Sequence, residues 1–183
     1  MPVRMIVTCT CAALLAVLSS SSRQLAAEEF SARSIDLGIV VSDVEKSVAF
    51  YKDAIGMKEV SGFSVPGDWC RDAGLTDGKK LDIRVMVLGE GPNASKLKLM
   101  QVPGVKTAKA DNKFLHSTFG FSYITIGVAD TTAALARLKK AGVKTANKTP
   151  IALPAPLPSS IILTVVRDPD GNKLQAVCYA GQT

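Results

Sequence analysis

Apolar and polar residues alternate through Asp36–Val41. Leu37, Ile39 and Val41 fall on one side and Asp36, Gly38 and Val40 on the other, the two-residue period of a strand with unlike faces. The period then changes. Val44, Val48, Tyr51 and Ile55 recur at helical spacing, which predicts a helix with one apolar stripe. Ser42 or Asp43 supplies its N-cap, Glu45 stands where a capping box from Ser42 would place it, and Gly56 can end the helix in the left-handed conformation.

The same order returns 87 positions later in Tyr123–Leu138, YITIGVADTTAALARL. Ile124, Ile126 and Val128 match Leu37, Ile39 and Val41, and Asp130 matches Asp43. The register runs without a gap through strand, cap and helix to Ala141 opposite Ala54, and after one slipped residue Gly142 meets Gly56. Generic strand–helix units have no reason to hold such a register, so we expect an internal repeat. Two copies at so long a period suit one domain built from two modules.

The remaining pattern fills in each module. Met57–Ser64 reads as a second strand, Leu81–Leu88 as a third and Lys96–Val102 as a fourth. Val65–Lys80 between the second and third is a glycine-rich polar insertion carrying Trp69. Residues 103–119 form a linker that holds His116, the chain's single histidine. The second module predicts a strand at Phe121–Val128, a helix at Asp130–Ala141 and a strand at Val143–Lys148. Pro150–Pro158 follows, a run that no central strand accommodates because proline lacks the ladder N–H. Ile161–Arg167 and Lys173–Tyr179 are strands joined by the hairpin signal Asp168-Pro169-Asp170-Gly171. In both modules the irregular insertion lies between the second and third strands, so both should flank one shared opening.

The 183 residues suit one domain plus a targeting segment, and 47% hydrophobic residues suffice for a core. Arg4 followed by the uncharged run Met5–Leu18 reads as a signal segment, with small-residue cleavage sites in the serine run or at Ala27. The run is short for a bilayer span. The expectation is a signal peptide at residues 1–27, a single domain at 28–183 with modules near 34–103 and 120–180, and a periplasmic or secreted protein with no stable membrane anchor after cleavage. Neither Cys9 nor Cys11 has a convincing lipoprotein context. Removing residues 1–27 leaves 20 basic and 16 acidic side chains, a net +4. The lysines are scattered and no aromatic–basic stripe accompanies them, which argues against nucleic-acid binding. Cys70 and Cys178 remain after cleavage. An exported chain could pair them, but Cys178 lies on the strand face of Leu174 and Ala176, which suits a buried thiol better.

The phrases IDLGIVVSDVEKSVAFYKDAIGMKEV, YITIGVAD and RDPDGNKLQAV resemble the vicinal oxygen chelate superfamily, which includes glyoxalases, extradiol dioxygenases and bleomycin-resistance proteins. The resemblance covers about residues 34–180. It implies an α+β fold of two βαβββ modules whose sheets wrap a cupped, barrel-like cleft. It also implies one divalent metal held by His and Glu from the first and fourth strands of each module. Those positions fall here on Asp36, Lys98, Tyr123 and Gln175, and all four depart from the usual set. A lysine ammonium cannot ligate and repels a divalent ion. Gln175 lacks the charge, Tyr123 keeps its phenolic proton at neutral pH, and one carboxylate does not hold a catalytic metal. The expectation is therefore no cofactor, with a divalent metal only if the ligand set is displaced.

By the same geometry Asp36 and Lys98 should form an ion pair in the place of the metal, either to serve a ligand or simply to satisfy two charges in a polar cavity. Tyr123, Gln175, Arg84, Met100 and Trp69 complete the candidate cleft. Arg84 could bind an anionic group, form a salt bridge or lie at a solvated edge. Trp69 could cap the cleft or plug it. His116 suits a surface histidine better than a base, and no partner at suitable spacing makes a nucleophile of Cys70 or Ser117. No catalytic residue is assigned. Three functions remain open: a small-molecule-binding protein, an enzyme related to lyases, epimerases or dioxygenases with displaced ligands or metal-free acid–base chemistry, and a structural or interaction domain with a filled cleft. Dimers are common in the family, so a homodimer is a further expectation.

Overall fold

A computed structural model describes residues 34–179 of the chain. The expected signal peptide lies outside the described residues. The first sheet contains β1 (Leu37–Val40), β2 (Lys58–Val65), β3 (Leu81–Leu88) and β4 (Ser95–Gln101) in the order β1-β4-β3-β2. The second contains β5 (Tyr123–Gly127), β6 (Ile151–Ala152), β7 (Ile161–Arg167) and β8 (Lys173–Tyr179) in the order β5-β8-β7-β6. In each, the first strand runs parallel to the fourth and the other pairs are antiparallel. The registers correspond as well: Gly38 faces Lys98 in one sheet and Thr125 faces Gln175 in the other. The sheets remain separate, with β1 and β5 both at edges. The fold is thus the expected α+β pair of modules, but the sheets are not closed into a barrel.

The first helix, α1 (Val44–Ala49), continues as a π-helical stretch through Phe50–Ile55. Asp43 is the N-cap, accepting the Lys46 N–H at 3.0 Å. Ser42 makes no capping box, because Glu45 reaches across to Arg84 instead. Gly56 ends the stretch at φ +87°, where its N–H and that of Met57 turn back to the carbonyls of Lys52 and Tyr51. The helix of the second module, Thr131–Lys140, is capped in the same way by Asp130.

Both sheets and both module helices contribute to one core. Met86, Leu97 and Leu99 come from the first sheet, and Ile126, Val166 and Leu174 from the second. Val48, Tyr51, Ala54 and Leu138 fill between them from the helices. Each large apolar side chain buried this way contributes about 2 kcal/mol. The Tyr51 hydroxyl donates to Asp168 Oδ2 at 3.0 Å, and the Arg137 guanidinium donates to the Ala54 carbonyl at 3.0 Å, so polar bonds also cross between modules.

Two expectations need correction. The insertion Val65–Lys80 is not irregular throughout: it holds a short helix, α2 (Gly67–Asp72), making Thr131–Lys140 the third helix, α3. Val143–Lys148 is not a strand. Asn147 takes a left-handed φ of +50°, and a single backbone bond, Ala146 N–H to Val165 carbonyl, holds the segment to β7. The strand beside β7 is instead β6, inside the proline-rich run but at the sheet edge, where missing N–H groups do least harm. Cys70 and Cys178 are free, buried thiols. No helix of the described residues is long and apolar enough to cross a membrane.

Candidate functional site

The alternation along β3 and β4 gives the first sheet two faces. Met86, Leu97 and Leu99 point toward α1 and the shared core. Ile83, Val85, Lys98 and Met100 point the other way, with Val85 opposite Lys98 and Ile83 opposite Met100. On this second face Lys98 Nζ lies 3.0 Å from Asp36 Oδ2, and the two side chains are 33% and 36% exposed. The ion pair expected from the sequence is present, at the margin of the face rather than deep inside it. Met100 lies along the same strand, with its Cε 3.2 Å from where a Cβ on Gly38 would stand.

The rest of that face is covered. Cys70 of α2 is fully buried and packs on Leu81, Ile83 and Val85, with Val87, Met100 and Val102 around them. The Cys70 thiol donates toward the Val65 carbonyl at 3.8 Å. The insertion is folded tightly onto itself: a Cβ on Gly67 would stand 2.1 Å from the Gly78 carbonyl oxygen. Trp69, the residue singled out from the insertion, points outward and is 57% exposed, while its neighbour Cys70 does the covering. The signals for α2 were in the chain: Asp68 in the first turn, Arg71 in the last, and Gly74 beyond it at φ +70°.

The equivalent face of the second sheet is more open. Tyr123 is 49% exposed, and Ile161, Leu163 and Val165 are only half-buried. Thr125 donates to Gln175 Oε1 at 3.3 Å. Among the described residues no hydrogen bond or ion pair joins Tyr123 or Gln175 to Asp36 or Lys98. Arg84 stands apart from all of them. It projects on the α1 side of the first sheet, where Nη1 meets Glu45 and Nε meets Glu59, each at 2.5 Å. Those two hydrogen bonds raise the guanidinium above its usual value, and the bond from Arg84 holds the Glu59 carboxyl below its own. His116 is exposed and stacks on Phe114, with ring centroids 5.6 Å apart.

The donor set does not fit a divalent metal. Of the four carried-over positions only Asp36 offers an anionic oxygen, and the Lys98 ammonium already neutralises it. Among the described residues no group of three or more His, Cys, Asp or Glu side chains comes together. What the arrangement offers is hydrogen bonding: the second oxygen of Asp36, the remaining Lys98 protons, the Tyr123 phenol and the Gln175 amide.

One cavity was not foreseen. It measures about 620 Å³ and opens between the ends of β1 and β4, residues 102–112 and the β7–β8 turn. None of the seven sequence-predicted residues lines it. Besides the ends of β1 and β4, its walls come from a stretch read as a linker and from the turn of the RDPDGNKLQAV phrase, which signals a hairpin and not a site.

A family model described as the Glyoxalase/Bleomycin resistance protein/Dioxygenase superfamily matches residues 34–176. No curated protein matches the chain significantly. Solved structures do. A glyoxalase family protein from Bacillus cereus superposes with a TM-score of 0.66 at 20% identity, covering 84% of this chain and 99% of that one. Glyoxalase I from Zea mays gives 0.60 at 19% identity, with 79% of this chain covering 44% of that one. A glyoxylase/bleomycin resistance protein/dioxygenase domain from Frankia sp. gives 0.56 at 19%, covering 83% and 93%. At these identities the likeness is one of fold, while the family match spans most of the sequence. The chain belongs to the Glyoxalase/Bleomycin resistance protein/Dioxygenase superfamily.

Proposed function

We propose that this protein is exported and binds a small molecule without the divalent metal that its family resemblance implies. The observation that carries the reading is the Asp36–Lys98 pair, 3.0 Å apart at two of the four ligand positions. A one-third-exposed pair is open enough to hydrogen-bond a ligand and sheltered enough for the bond to count. The half-open face of β5, β7 and β8, with Tyr123, Thr125 and Gln175, supports the same reading by offering apolar surface beside a few polar groups. Export rests on the charged start and apolar run at residues 4–18. Phe119 and Phe121, fully exposed, support self-association into a homodimer.

The test begins with metal content of the purified protein by elemental mass spectrometry, after dialysis with and without Zn²⁺, Ni²⁺, Mn²⁺ and Fe²⁺. No bound metal is expected. Small aromatic and anionic compounds are then screened by thermal shift, and a hit should weaken in Asp36→Asn. Near-stoichiometric metal would overturn the reading and favour an enzyme with displaced ligands. One observation favours a second reading, a non-catalytic domain with a filled cleft: α2 and Cys70 already cover much of the first sheet's face. A screen without a hit, with Asp36→Asn changing stability alone, would support that alternative.

A further inference from the structure

The cavity beside the β7–β8 turn has the makings of a second site. One wall is apolar, from Val40, Val41, Val102 and Val105. Asp170 and Lys109 also line it. Asp170 is fixed in place. Its Oδ2 accepts the Ser42 N–H at 3.1 Å, and its own N–H donates to Asp168 Oδ1 at 3.0 Å. Asp168 in turn is buried and takes the Tyr51 hydroxyl and the Asn172 amide, so the turn is held from three directions. Asp170 Oδ1 has no partner among the described residues. Lys109 pairs with no carboxylate among them either.

The outer wall leaves further donors free. Beyond the turn at Pro103–Gly104, residues 105–112 neither accept nor donate a backbone–backbone hydrogen bond to other elements among the described residues. The wall is tied down at its far end, where the Asp111 carbonyl accepts from Thr118, the Asn112 carbonyl from Arg167 and Lys173, and the Lys113 carbonyl from Arg167, while the Asn112 side-chain amide donates to Asn172. The amide N–H groups beside Lys109 thus have no backbone partner to give up to an anionic group.

We infer that this cavity binds a small apolar zwitterion, of the size of a free amino acid or dipeptide. Asp170 takes the ammonium. Lys109 and the free amides of the 104–110 span take the carboxylate. The valine wall takes the apolar side chains. A volume of about 620 Å³ lies in the range usual for small-molecule sites. A purely anionic ligand would meet Asp170 and a purely cationic one Lys109, so the site favours a ligand that carries both signs.

The experiment is isothermal titration of the full chain with L-leucyl-L-leucine, its N-acetyl derivative and its C-terminal amide. The free dipeptide should bind, and each blocked form should bind at least about tenfold more weakly, since a hydrogen bond to a charged group is lost. Asp170→Asn should cost the free dipeptide a similar factor and erase its advantage over the acetylated form. Lys109→Ala, at an exposed position that the fold does not depend on, should erase the advantage over the amide. Asp36→Asn should leave all three unchanged, which separates this site from the ion-pair face. Absence of binding at millimolar dipeptide would overturn the inference. So would affinity indifferent to both Asp170→Asn and Lys109→Ala, or affinity lost in Asp36→Asn alone.

Discussion

The phenol of Tyr51, in the π-helical stretch that continues α1, donates a 3.0 Å hydrogen bond to Asp168, 117 positions later, at the turn between the last two strands. Tyr51 is 1% exposed and Asp168 5%. The bond ties the two modules together where the shared core ends. Asp168 also fixes the turn through the N–H groups of Asp170 and Asn172, so one contact joins the helix, the hairpin and the cavity rim.

Tyr51→Phe should therefore cost about 2 kcal/mol, the usual worth of a hydrogen bond to a charged group. Urea unfolding at neutral pH measures it. A change below about 0.5 kcal/mol would mean that the remaining donors satisfy Asp168 unaided.

The same tyrosine predicts an alkaline limit. Burial, then the charge of Asp168 and the bond to it, raise the phenol well above its usual value of 10.0. Above pH 10 the unfolded chain releases this proton while the folded chain keeps it, so stability falls as pH rises. The contribution is intact below pH 10 and declines above it by about 1.4 kcal/mol per unit. Comparing urea midpoints of the wild type and Tyr51→Phe between pH 9 and 11 isolates the slope, which should be shallower in the variant.

Arg84 and Lys98 should separate cleanly. Arg84→Met removes two partly exposed ion pairs, at a cost below about 1 kcal/mol, and should leave binding of any thermal-shift hit unchanged. Lys98→Met should weaken that hit. Equal effects on binding would show that the two faces of the first sheet are not independent.

Gly67→Ala should unseat α2. The new methyl would meet the Gly78 backbone at 2.1 Å, a clash that no side-chain rotation relieves. The expected loss is about 2–3 kcal/mol, the upper range for overpacking. Cys70, fully buried in the wild type, should then react faster with a thiol reagent under native conditions.

The fold was legible because period, caps and turn signals agreed. Asp43 and Asp130 cap their helices, Gly56 turns left-handed where the apolar stripe stops, and Asp168–Gly171 joins the last two strands. The Asp36–Lys98 pair was legible too, since strand alternation and the family register fix both side chains on one face. Arg84 was harder: alternation puts it on the side of Met86, but only the position of Glu45 on α1 and Glu59 on β2 reveals what it meets. The cover over the first sheet was hidden because α2 is six residues long, too short for a periodic signature. The cavity was hidden because its walls meet only through tertiary structure.

The cover formed by α2 makes the two halves of the chain unequal. On β3, Leu81, Ile83 and Val85 are sealed, whereas their counterparts on β7 stay half-open. Changes at the sealed positions should register as lost yield of folded protein. Changes at Leu163, Val165 or Gln175 should leave yield nearly intact and register in what the protein retains on a compound-loaded resin. A laboratory seeking to evolve new specificity would therefore randomise the later half and hold the earlier one constant.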